Sequence, residues 1–369
     1  MNPLVREYRK RNGVMLAVGS IPQYLNAKEL EAMKSTKILD DLMISNRKCY
    51  FVKNGNYYMV FFDDGTKIRF GTENTLDPEY PECIDMCISK RCHQGCDFCY
   101  MNCTDAGKDV DFSSPEVINL IQQIHPYTEL AINVNHKNQP YLEELLEFCS
   151  RRMIFVNITV HKAYFIENID EIVRWQNKGY IHGIGISYDG LYPNINDQLV
   201  ECLNRTTNNV IHVVAGIIEP SQIQELANNE KLKDKLKILV LGYKNIGRGK
   251  TLREENDLAI SLKTTSLMHF SEQWYREETF SRLSRQKSNS KIELIAFDGL
   301  ALDQLEVKRW VYKSQFKELY SGDEGSYSFY LDLVDLRYAR SSIESETYAI
   351  EDKTIVDMFN DIKGKPLSI

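Results

Sequence analysis

The chain has no apolar segment of transmembrane length and no recognisable secretory signal. Spanning a bilayer takes roughly 18 apolar residues, and no such run occurs in the 369 residues. The first twenty residues, MNPLVREYRKRNGVMLAVGS, contain basic residues but lack the sustained apolar core of a signal peptide. The net charge is -7, so no excess of positive charge attracts a nucleic acid. These absences predict a cytoplasmic protein that binds neither membrane nor nucleic acid.

Cysteine is missing from the C-terminal third of the chain but crowded elsewhere. Six of the nine cysteines lie between Cys83 and Cys103, whereas a disulfide framework would spread them over a small secreted chain. The stretch RCHQGCDFCYMNC contains Cys92, Cys96 and Cys99 in C-x3-C-x2-C spacing. A structural zinc site usually needs four ligands, often from two C-x2-C pairs, and there is no second pair. The spacing favours a metal group with an open position.

The organisation of the chain changes near residue 80. Residues 1–80 contain a predicted helix, AKELEAMKSTKILDDLM, followed by the strand-rich segment KCYFVKNGNYYMVFFDDGTKIRFG. Within that segment Asn54-Gly55 and Asp64-Gly65 are hairpin signals between β-prone runs. We therefore predict a small N-terminal α+β extension.

Residues 81–250 alternate between predicted strands and helices. The strands are apolar with few alternations, as is typical of parallel strands covered by helices. Six such units predict an α/β domain, either an incomplete barrel or a doubly wound sheet. Residues 251–369 are predicted to form a C-terminal α/β extension. The six predicted strands are CIDMCIS, ELAINVN, MIFVNITVH, IHGIGISYD, VIHVVAGI and KILVLGYK.

The cysteine triplet directly follows the first of these strands. In parallel α/β folds the loops at the carboxyl ends of the strands build the active site. Three thiolates on a [4Fe-4S] cluster leave one iron without a protein ligand, so that iron is free to bind a small molecule. The pattern C-x3-C-x-aromatic-C, with Phe98 as its aromatic residue, resembles the signature of radical S-adenosylmethionine (SAM) enzymes. The resemblance covers residues 83–245.

The resemblance implies a fold, two cofactors and a reaction. The fold is a partial (β/α)6 barrel, and Cys92, Cys96 and Cys99 hold a [4Fe-4S] cluster whose open iron chelates the amino and carboxylate groups of SAM. Reductive cleavage of SAM then yields methionine and a 5'-deoxyadenosyl radical, which abstracts hydrogen from a substrate. A flavodoxin or a ferredoxin is the implied electron donor.

The family's motif for the SAM amino group is altered in this chain. Radical SAM enzymes usually have Gly-Gly-Glu-Pro after the second strand, whereas this sequence has NHKNQP there. Asn138 and Gln139 are candidates for a neutral amide acceptor of the amine. The alternative is that backbone carbonyl groups alone bind the SAM amino group.

Later strands supply the other candidate SAM ligands. The family places a polar side chain at the end of the fourth strand and supports adenine from the fifth, where HVVAGIIEP matches only part of the family pattern and has His212 in place of its first glycine. The basic loop LGYKNIGRGK after the sixth strand is suited to a carboxylate or phosphate, or is simply a solvated loop. The candidates are Ser187, Asp189, Gly216, Glu219 and Lys244.

Two further expectations concern the number of clusters and the role of the C-terminal extension. Cys83 and Cys87 fit small buried apolar residues, and with no cysteine in the last third we expect one cluster per chain. The segments GKDVDF, LGYKNIGRG and GSYSFYLDLVDLRYARSS also resemble a poorly characterised group of radical SAM proteins from phage and mobile-element genomes. We expect the C-terminal extension to cover the barrel mouth and exclude water from a radical intermediate.

The substrate is the least determined feature. A peptide or protein is the first choice, because the N-terminal β-rich module is similar in position to recognition modules of peptide-modifying radical SAM enzymes. A nucleotide or other small metabolite is the alternative, which would require the basic loop to face the cavity. A third reading is a non-catalytic, metal-bound scaffold, which would be colourless where a reconstituted iron-sulfur enzyme is brown.

Overall fold

The computed structural model describes Lys28 and most of the chain from residue 49 onward. The helix predicted at residues 27–43 lies outside the described part except for Lys28, and the turn predicted at Asp64 and Gly65 also lies outside it. The described ranges are residues 49–62, 67–73, 75–190, 195–284, 288–320, 325–344 and 346–365.

Three antiparallel strands precede the main domain. They are β1 (Cys49–Asn54), β2 (Tyr57–Phe62) and β3 (Lys67–Gly71), paired in that order. Gly55 has a φ of +58°, and a Cβ there would lie 1.9 Å from the carbonyl oxygen of Asp77. The turn thus requires glycine, and the predicted hairpin is present with its turn one residue later than the sequence indicated.

A ten-stranded sheet forms the main domain. Its central six strands are parallel and follow one another in chain order, so all six predicted strands are present. Two more parallel strands, β10 and β11, flank them, and among the described residues the two ends of the sheet do not pair. The strands are β4 (Cys83–Cys87), β5 (Glu129–Asn133), β6 (Phe155–His161), β7 (Gly183–Ser187), β8 (Asn209–Val214), β9 (Leu236–Leu241), β10 (Ile292–Phe297), β11 (Ser328–Asp332), β12 (Arg337–Ala339) and β13 (Tyr348–Ala349).

Helices follow the parallel strands as the alternation predicts. None of them, within the described residues, is long and apolar enough to cross a bilayer. The helices are α1 (Pro115–Gln122), α2 (Leu142–Arg151), α3 (Lys162–Glu167), α4 (Ile169–Asn177), α5 (Ile195–Leu203), α6 (Pro220–Ala227), α7 (Arg248–Leu283), α8 (Gly299–Gln304), α9 (Val307–Trp310), α10 (Lys313–Leu319) and α11 (Ile355–Ile362).

Two helices differ from the simplest expectation. The segment YFIENIDEIVRWQNKG forms two helices, because Asn168 leaves helical geometry and its side chain donates to the carbonyl of Tyr164 at 3.0 Å. Competition of an Asn side chain for backbone groups is a common cause of such breaks. Helix α7 bends at Asn256, whose φ is -134°.

The strands of the large sheet turn alternate side chains to its two faces. In β4 the side chains of Ile84 and Met86 are buried in the main apolar core with residues of the covering helices, such as Leu120. Fully burying a side chain of this size stabilises the fold by roughly 1.5–3 kcal/mol. Asp85, between them, faces the lumen of the partial barrel.

The three-stranded sheet packs against the amino-terminal end of the large sheet. Tyr57 and Phe61 belong to one buried cluster with Tyr127 and Phe155, and Phe155 is the first residue of β6. The cysteine loop follows the opposite end of β4. Strands β1 to β3 therefore lie at the end of the barrel away from the cysteines, not beside its mouth.

Candidate cofactor site

The three predicted metal ligands lie on one loop between β4 and α1. Cys92, Cys96 and Cys99 are half-buried, and all are free thiols. The backbone N-H of Cys99 donates to the carbonyl of Cys96 at 3.1 Å, and that of Cys92 donates to the carbonyl of Thr104 at 2.9 Å. Backbone hydrogen bonds thus hold the loop that carries the thiols at the carboxyl edge of the sheet.

The thiols of this loop influence one another's ionisation. Burial, with the negative charges of Asp189, Cys92 and Cys99, raises the pKa of Cys96 to about 11. The thiol of Cys103 donates a hydrogen bond to Cys99, which lowers the pKa of Cys99 to about 5. Because thiolates are the form that binds metal, Cys99 is the ligand best prepared for it.

The start of α7 forms hydrogen bonds with the cysteine loop. Arg248 donates from Nε to the carbonyl of Cys96 and from Nη1 to that of Cys103, both at 2.9 Å. Its backbone N-H donates to the carbonyl of Cys99 at 3.0 Å. Gly247 has a φ of +59°, and a Cβ there would lie 2.4 Å from the carbonyl oxygen of Tyr100. The basic loop that suggested anion binding therefore supports the cysteines.

A cavity of about 470 Å³ opens beside the cysteine loop. This volume is in the range of small-molecule sites. It brings together residues from the ends of β4, β7 and β8, and helix α7 forms one wall. Two of the predicted SAM ligands, Asp189 and Gly216, line it. The full lining is Gln94, Gly95, Cys96, Asp97, Phe98, Asp189, Gly216, Ile217, Gln222, Leu252, Asn256, Ala259, Ile260 and Lys263.

The carboxylate of Asp189 is held in place by two basic side chains. Lys162, which is fully buried, approaches it at 2.5 Å, and His161 Nε2 lies 3.2 Å away. Burial alone would raise the pKa of Asp189, but hydrogen bonds from His161 and Lys162 outweigh it and lower the pKa to about 2. The wall of the cavity therefore has a fixed negative charge at this point.

The two amide candidates differ in their placement. Asn138 is exposed, whereas Gln139 is only 5% exposed. Gln139 Nε2 donates to the carbonyl of Ile88 at 3.0 Å, and this contact fixes the orientation of the amide because a carbonyl can only accept. Among the described residues, Oε1 of Gln139 is buried without a hydrogen-bond partner. An unpaired buried acceptor is rare in proteins, and it points to an absent donor.

Asn138 and Gln139 lie outside the cavity lining, as do the other three candidates, and all five stay predictions. Ser187 ends β7 and pairs in register with His212. Glu219 is the N-cap residue of α6, and its backbone N-H donates to Oε1 of Gln222 at 3.0 Å. Lys244 donates to Oγ of Ser342 at 2.8 Å and lies 3.7 Å above the centre of the Tyr100 ring.

His161 was missed by sequence reasoning, although it ends a predicted strand. Together with Cys96 and Asp189 it forms a group whose ligand atoms all lie within 4.8 Å of one another, a possible metal site. However, Nδ1 of His161 accepts from the backbone N-H of Ala163 at 3.2 Å, so Nε2 carries the proton. A metal on Nε2 requires that nitrogen unprotonated. The observed ring therefore acts as a hydrogen-bond donor to Asp189.

Comparison with known proteins finds a likeness in structure without one in sequence. No family model and no curated protein matches the chain. A crystal structure of Streptococcus suis SuiB bound to S-adenosylmethionine matches with a TM-score of 0.50 and 14% identity, over 79% of this chain and 67% of that one. This chain has the SuiB fold. A second SuiB structure, bound to the precursor peptide SuiA, matches with a TM-score of 0.49 and 13% identity, over 79% and 66%. The match with a TM-score of 0.50 and the mostly parallel, unclosed sheet confirm the predicted partial barrel.

Proposed function

We propose that this chain is a radical SAM enzyme that holds one [4Fe-4S] cluster on Cys92, Cys96 and Cys99. The observation that carries the proposal is the position of three free thiols at the carboxyl edge of the parallel sheet, beside a cavity of about 470 Å³. SuiB, whose fold this chain shares, has been solved with SAM bound.

The residues present fit both cofactors. Three cysteines with no distant fourth partner suit a cluster that keeps an open iron, and the unpaired Oε1 of Gln139 suits the ammonium group of SAM. When bound, the cluster supplies the electron that cleaves SAM to methionine and the 5'-deoxyadenosyl radical.

The protein's own groups would orient SAM. Oε1 of Gln139 accepts a hydrogen bond from the SAM ammonium, while Nε2 stays on the carbonyl of Ile88. Asp189, fixed by His161 and Lys162, offers a carboxylate to the ribose hydroxyl groups. Gly216 has a φ of +80° and leaves no room for a side chain, so α7 packs closely against the cavity.

We propose a peptide or a protein as the substrate. Lys244 and Arg248, the groups expected to bind a nucleotide's phosphates, donate instead to Ser342 and to the carbonyls of the cysteine loop. Lys250 is exposed at the start of α7. This arrangement counts against the nucleotide alternative. Strands β1 to β3 lie at the far end of the barrel, so they do not contribute a recognition surface at the mouth.

The proposed chemistry implies a cellular setting. The eight cysteines whose side chains the structure describes are all free, which agrees with a reducing compartment. We propose that the enzyme works in the cytoplasm and receives electrons from a flavodoxin or a ferredoxin.

The test is reductive cleavage of SAM by the anaerobically reconstituted protein. With dithionite as reductant, 5'-deoxyadenosine should form, at least slowly, without any substrate. Cys96→Ala should abolish its formation, whereas Cys202→Ala, which changes a cysteine of α5 remote in sequence from the loop, should not. Complete absence of 5'-deoxyadenosine from a wild-type sample with a full cluster, under varied reductants, would refute the proposal.

A further inference from the structure

A guanidinium group without an acidic partner lies against the loop that carries the three cysteines. Arg248 is half-buried, and its Nε and Nη1 donate to the carbonyl groups of Cys96 and Cys103, each at 2.9 Å. Both of these acceptors are neutral. Within the part of the chain that the structure describes, no carboxylate forms an ion pair with Arg248. The loop therefore has a positive charge beside it that no direct partner offsets.

The backbone around Arg248 fixes the position of this charge. The N-H of Arg248 donates to the carbonyl of Cys99 at 3.0 Å, and helix α7 begins at the same residue. The next residue, Gly249, is buried, and a Cβ there would lie 2.6 Å from the carbonyl oxygen of Lys244 and 3.3 Å from that of Phe98. Arg248 thus contacts the loop through three hydrogen bonds at a closely packed junction.

The charge of Arg248 is close to the thiol groups. The carbonyl oxygen and Sγ of one cysteine are separated by a few covalent bonds, which keeps Sγ of Cys96 within roughly 7 Å of Nε of Arg248. Charges at this separation interact in spite of physiological salt, whose screening length is about 8 Å. In agreement, the hydrogen bond from Cys103 is the main cause that lowers the pKa of Cys99 to about 5, and the charge of Arg248 lowers that pKa further.

The acidic groups near the loop offset this charge only in part. Asp189 acts on Cys96, but its carboxylate is itself paired with Lys162 at 2.5 Å. Asp97 and Asp105 belong to the loop and are exposed, so water and salt screen their charges. A group held by the three thiols would therefore be influenced by the charge of Arg248.

We infer that Arg248 acts through the loop as a positioning residue and raises the reduction potential of the cluster that the loop is proposed to hold. Reduction adds one negative charge, so a nearby cation stabilises the reduced form more than the oxidised form. Net charge and hydrogen bonding around a cluster are known to set its potential. The inference rests on the proposed function, because it requires a cluster on Cys92, Cys96 and Cys99. Its consequence is that a weaker reductant is sufficient to reduce the enzyme.

The experiment is an anaerobic redox titration of the reconstituted full chain, in which electron paramagnetic resonance measures the reduced cluster. Arg248→Gln removes the charge, whereas Arg248→Lys keeps it. Arg248→Gln should hold about four irons and should be about tenfold harder to reduce, a shift of about 59 mV to more negative potential for one electron. Arg248→Lys should keep the wild-type potential.

Arg253→Gln is the matched control. It removes an arginine charge from the same helix, where Arg253 pairs with Asp257 at 2.9 Å and has no hydrogen bond to the cysteine loop. Its cluster should have the wild-type potential.

Two results with a full cluster would overturn the inference: an unchanged potential in Arg248→Gln, or a shift in Arg248→Lys as large as that in Arg248→Gln. If Arg248→Gln holds no cluster, Arg248→Lys decides, and its potential must match that of the wild type. Loss of iron from both variants would mean that the side chain only shapes the loop, which would also overturn the inference. A wild type that takes up no cluster would instead refute the proposed function, so the two failures are distinguishable.

Discussion

At the scale of single residues, the candidate site departs from the pattern of radical SAM enzymes. The stretch NHKNQP lacks the carboxylate of their motif, and Gln139 has a buried Oε1 without a hydrogen-bond partner among the described residues, while its Nε2 donates to the carbonyl of Ile88. His212 stands where the family has a glycine, and its ring lies over Gly185 of the neighbouring strand, where a Cβ would be 2.3 Å from the ring. A glycine in β7 thus makes room for a histidine in β8.

The first prediction concerns Gln139. Gln139→Ala should weaken SAM binding about fivefold, because one neutral hydrogen bond to the ammonium contributes roughly 1 kcal/mol. Asn138→Ala should leave SAM affinity unchanged, since Asn138 is exposed. Calorimetry on the reconstituted protein checks both variants. A change of less than twofold for Gln139→Ala would mean that the backbone alone holds the amine.

The second prediction concerns pH and His212. Burial lowers the pKa of His212 to about 4, so the unfolded chain binds a proton more readily than the folded one between pH 6.5 and 4. Stability should therefore fall as the pH drops through this window, with His212 accounting for at most roughly 3 kcal/mol.

Denaturant unfolding between pH 7 and pH 4 measures this effect. His212→Gln, which cannot titrate, should lose distinctly less stability over that range than the wild type. His269→Gln, which changes an exposed histidine of α7, should behave like the wild type. Identical pH dependence of wild type and His212→Gln would show that His212 does not titrate as its burial implies.

At the scale of elements, the periodicity of the sequence predicted the individual strands and helices but not the contacts between elements distant in the chain. The six strands could be predicted because their apolar runs are visible in the sequence. Within β5 and β9 buried residues alternate with half-buried ones, so one face of the sheet packs against helices and the other borders the lumen. Several contacts at the site join residues far apart in the chain. They are the packing of α7 against the cavity, the pairing of β11 with β4, and the ion pairs of Asp189 with His161 and Lys162. No local pattern encodes such contacts. Of the candidate site, therefore, only the cysteine loop and the residues at strand ends were predicted.

The third prediction tests the support that α7 gives to the cysteine loop. Gly247→Ala should destabilise the fold and reduce iron uptake, because its Cβ would collide with the backbone at Tyr100. Gly179→Ala is the matched control: its φ is +69°, and a Cβ there meets nothing within 4 Å. Both variants place a side chain at positive φ, but the ψ of Gly247 is -142°, a conformation that essentially only glycine adopts, so Gly247→Ala carries additional backbone strain.

Melting temperature and iron content are the two measurements for this pair. Gly247→Ala should lose roughly 1–3 kcal/mol more than Gly179→Ala, the usual cost of overpacking. If the two variants are equally stable and bind equal iron, the close approach of α7 to the loop has no energetic importance.

At the scale of the whole molecule, the two ends of the barrel contact different parts of the chain. Strands β1 to β3 cover the amino-terminal end, where the fully buried carboxylate of Glu82 receives Nε and Nη2 of Arg69, each at 2.9 Å. At the other end Ser342, from the C-terminal extension, reaches Lys244 after β9. This hydrogen bond joins the C-terminal extension to the loop after β9; that the extension covers the mouth stays a prediction.

The fourth prediction addresses the contact of the N-terminal sheet with the barrel. Glu82→Gln should destabilise the protein by roughly 3–5 kcal/mol, because it removes the charge of the buried carboxylate that pairs with Arg69, whereas Lys67 keeps its ion pair with Glu129 at 2.6 Å. Glu147→Gln removes one side of an exposed pair with Arg151 and should change stability by less than about 1 kcal/mol. A loss for Glu82→Gln as small as the control's would show that the sheet is held by apolar packing alone.

The most direct test of the central claim is the iron and sulfide content of the anaerobically reconstituted chain. One cluster on Cys92, Cys96 and Cys99 predicts about four iron and four sulfide per chain, a brown protein, and almost none of either in a variant with all three cysteines changed to alanine. About eight irons would mean that Cys83, Cys87 and Cys103 hold a second cluster. A colourless wild type that retains zinc and takes up no iron, or a triple variant that still holds four irons, would contradict the account.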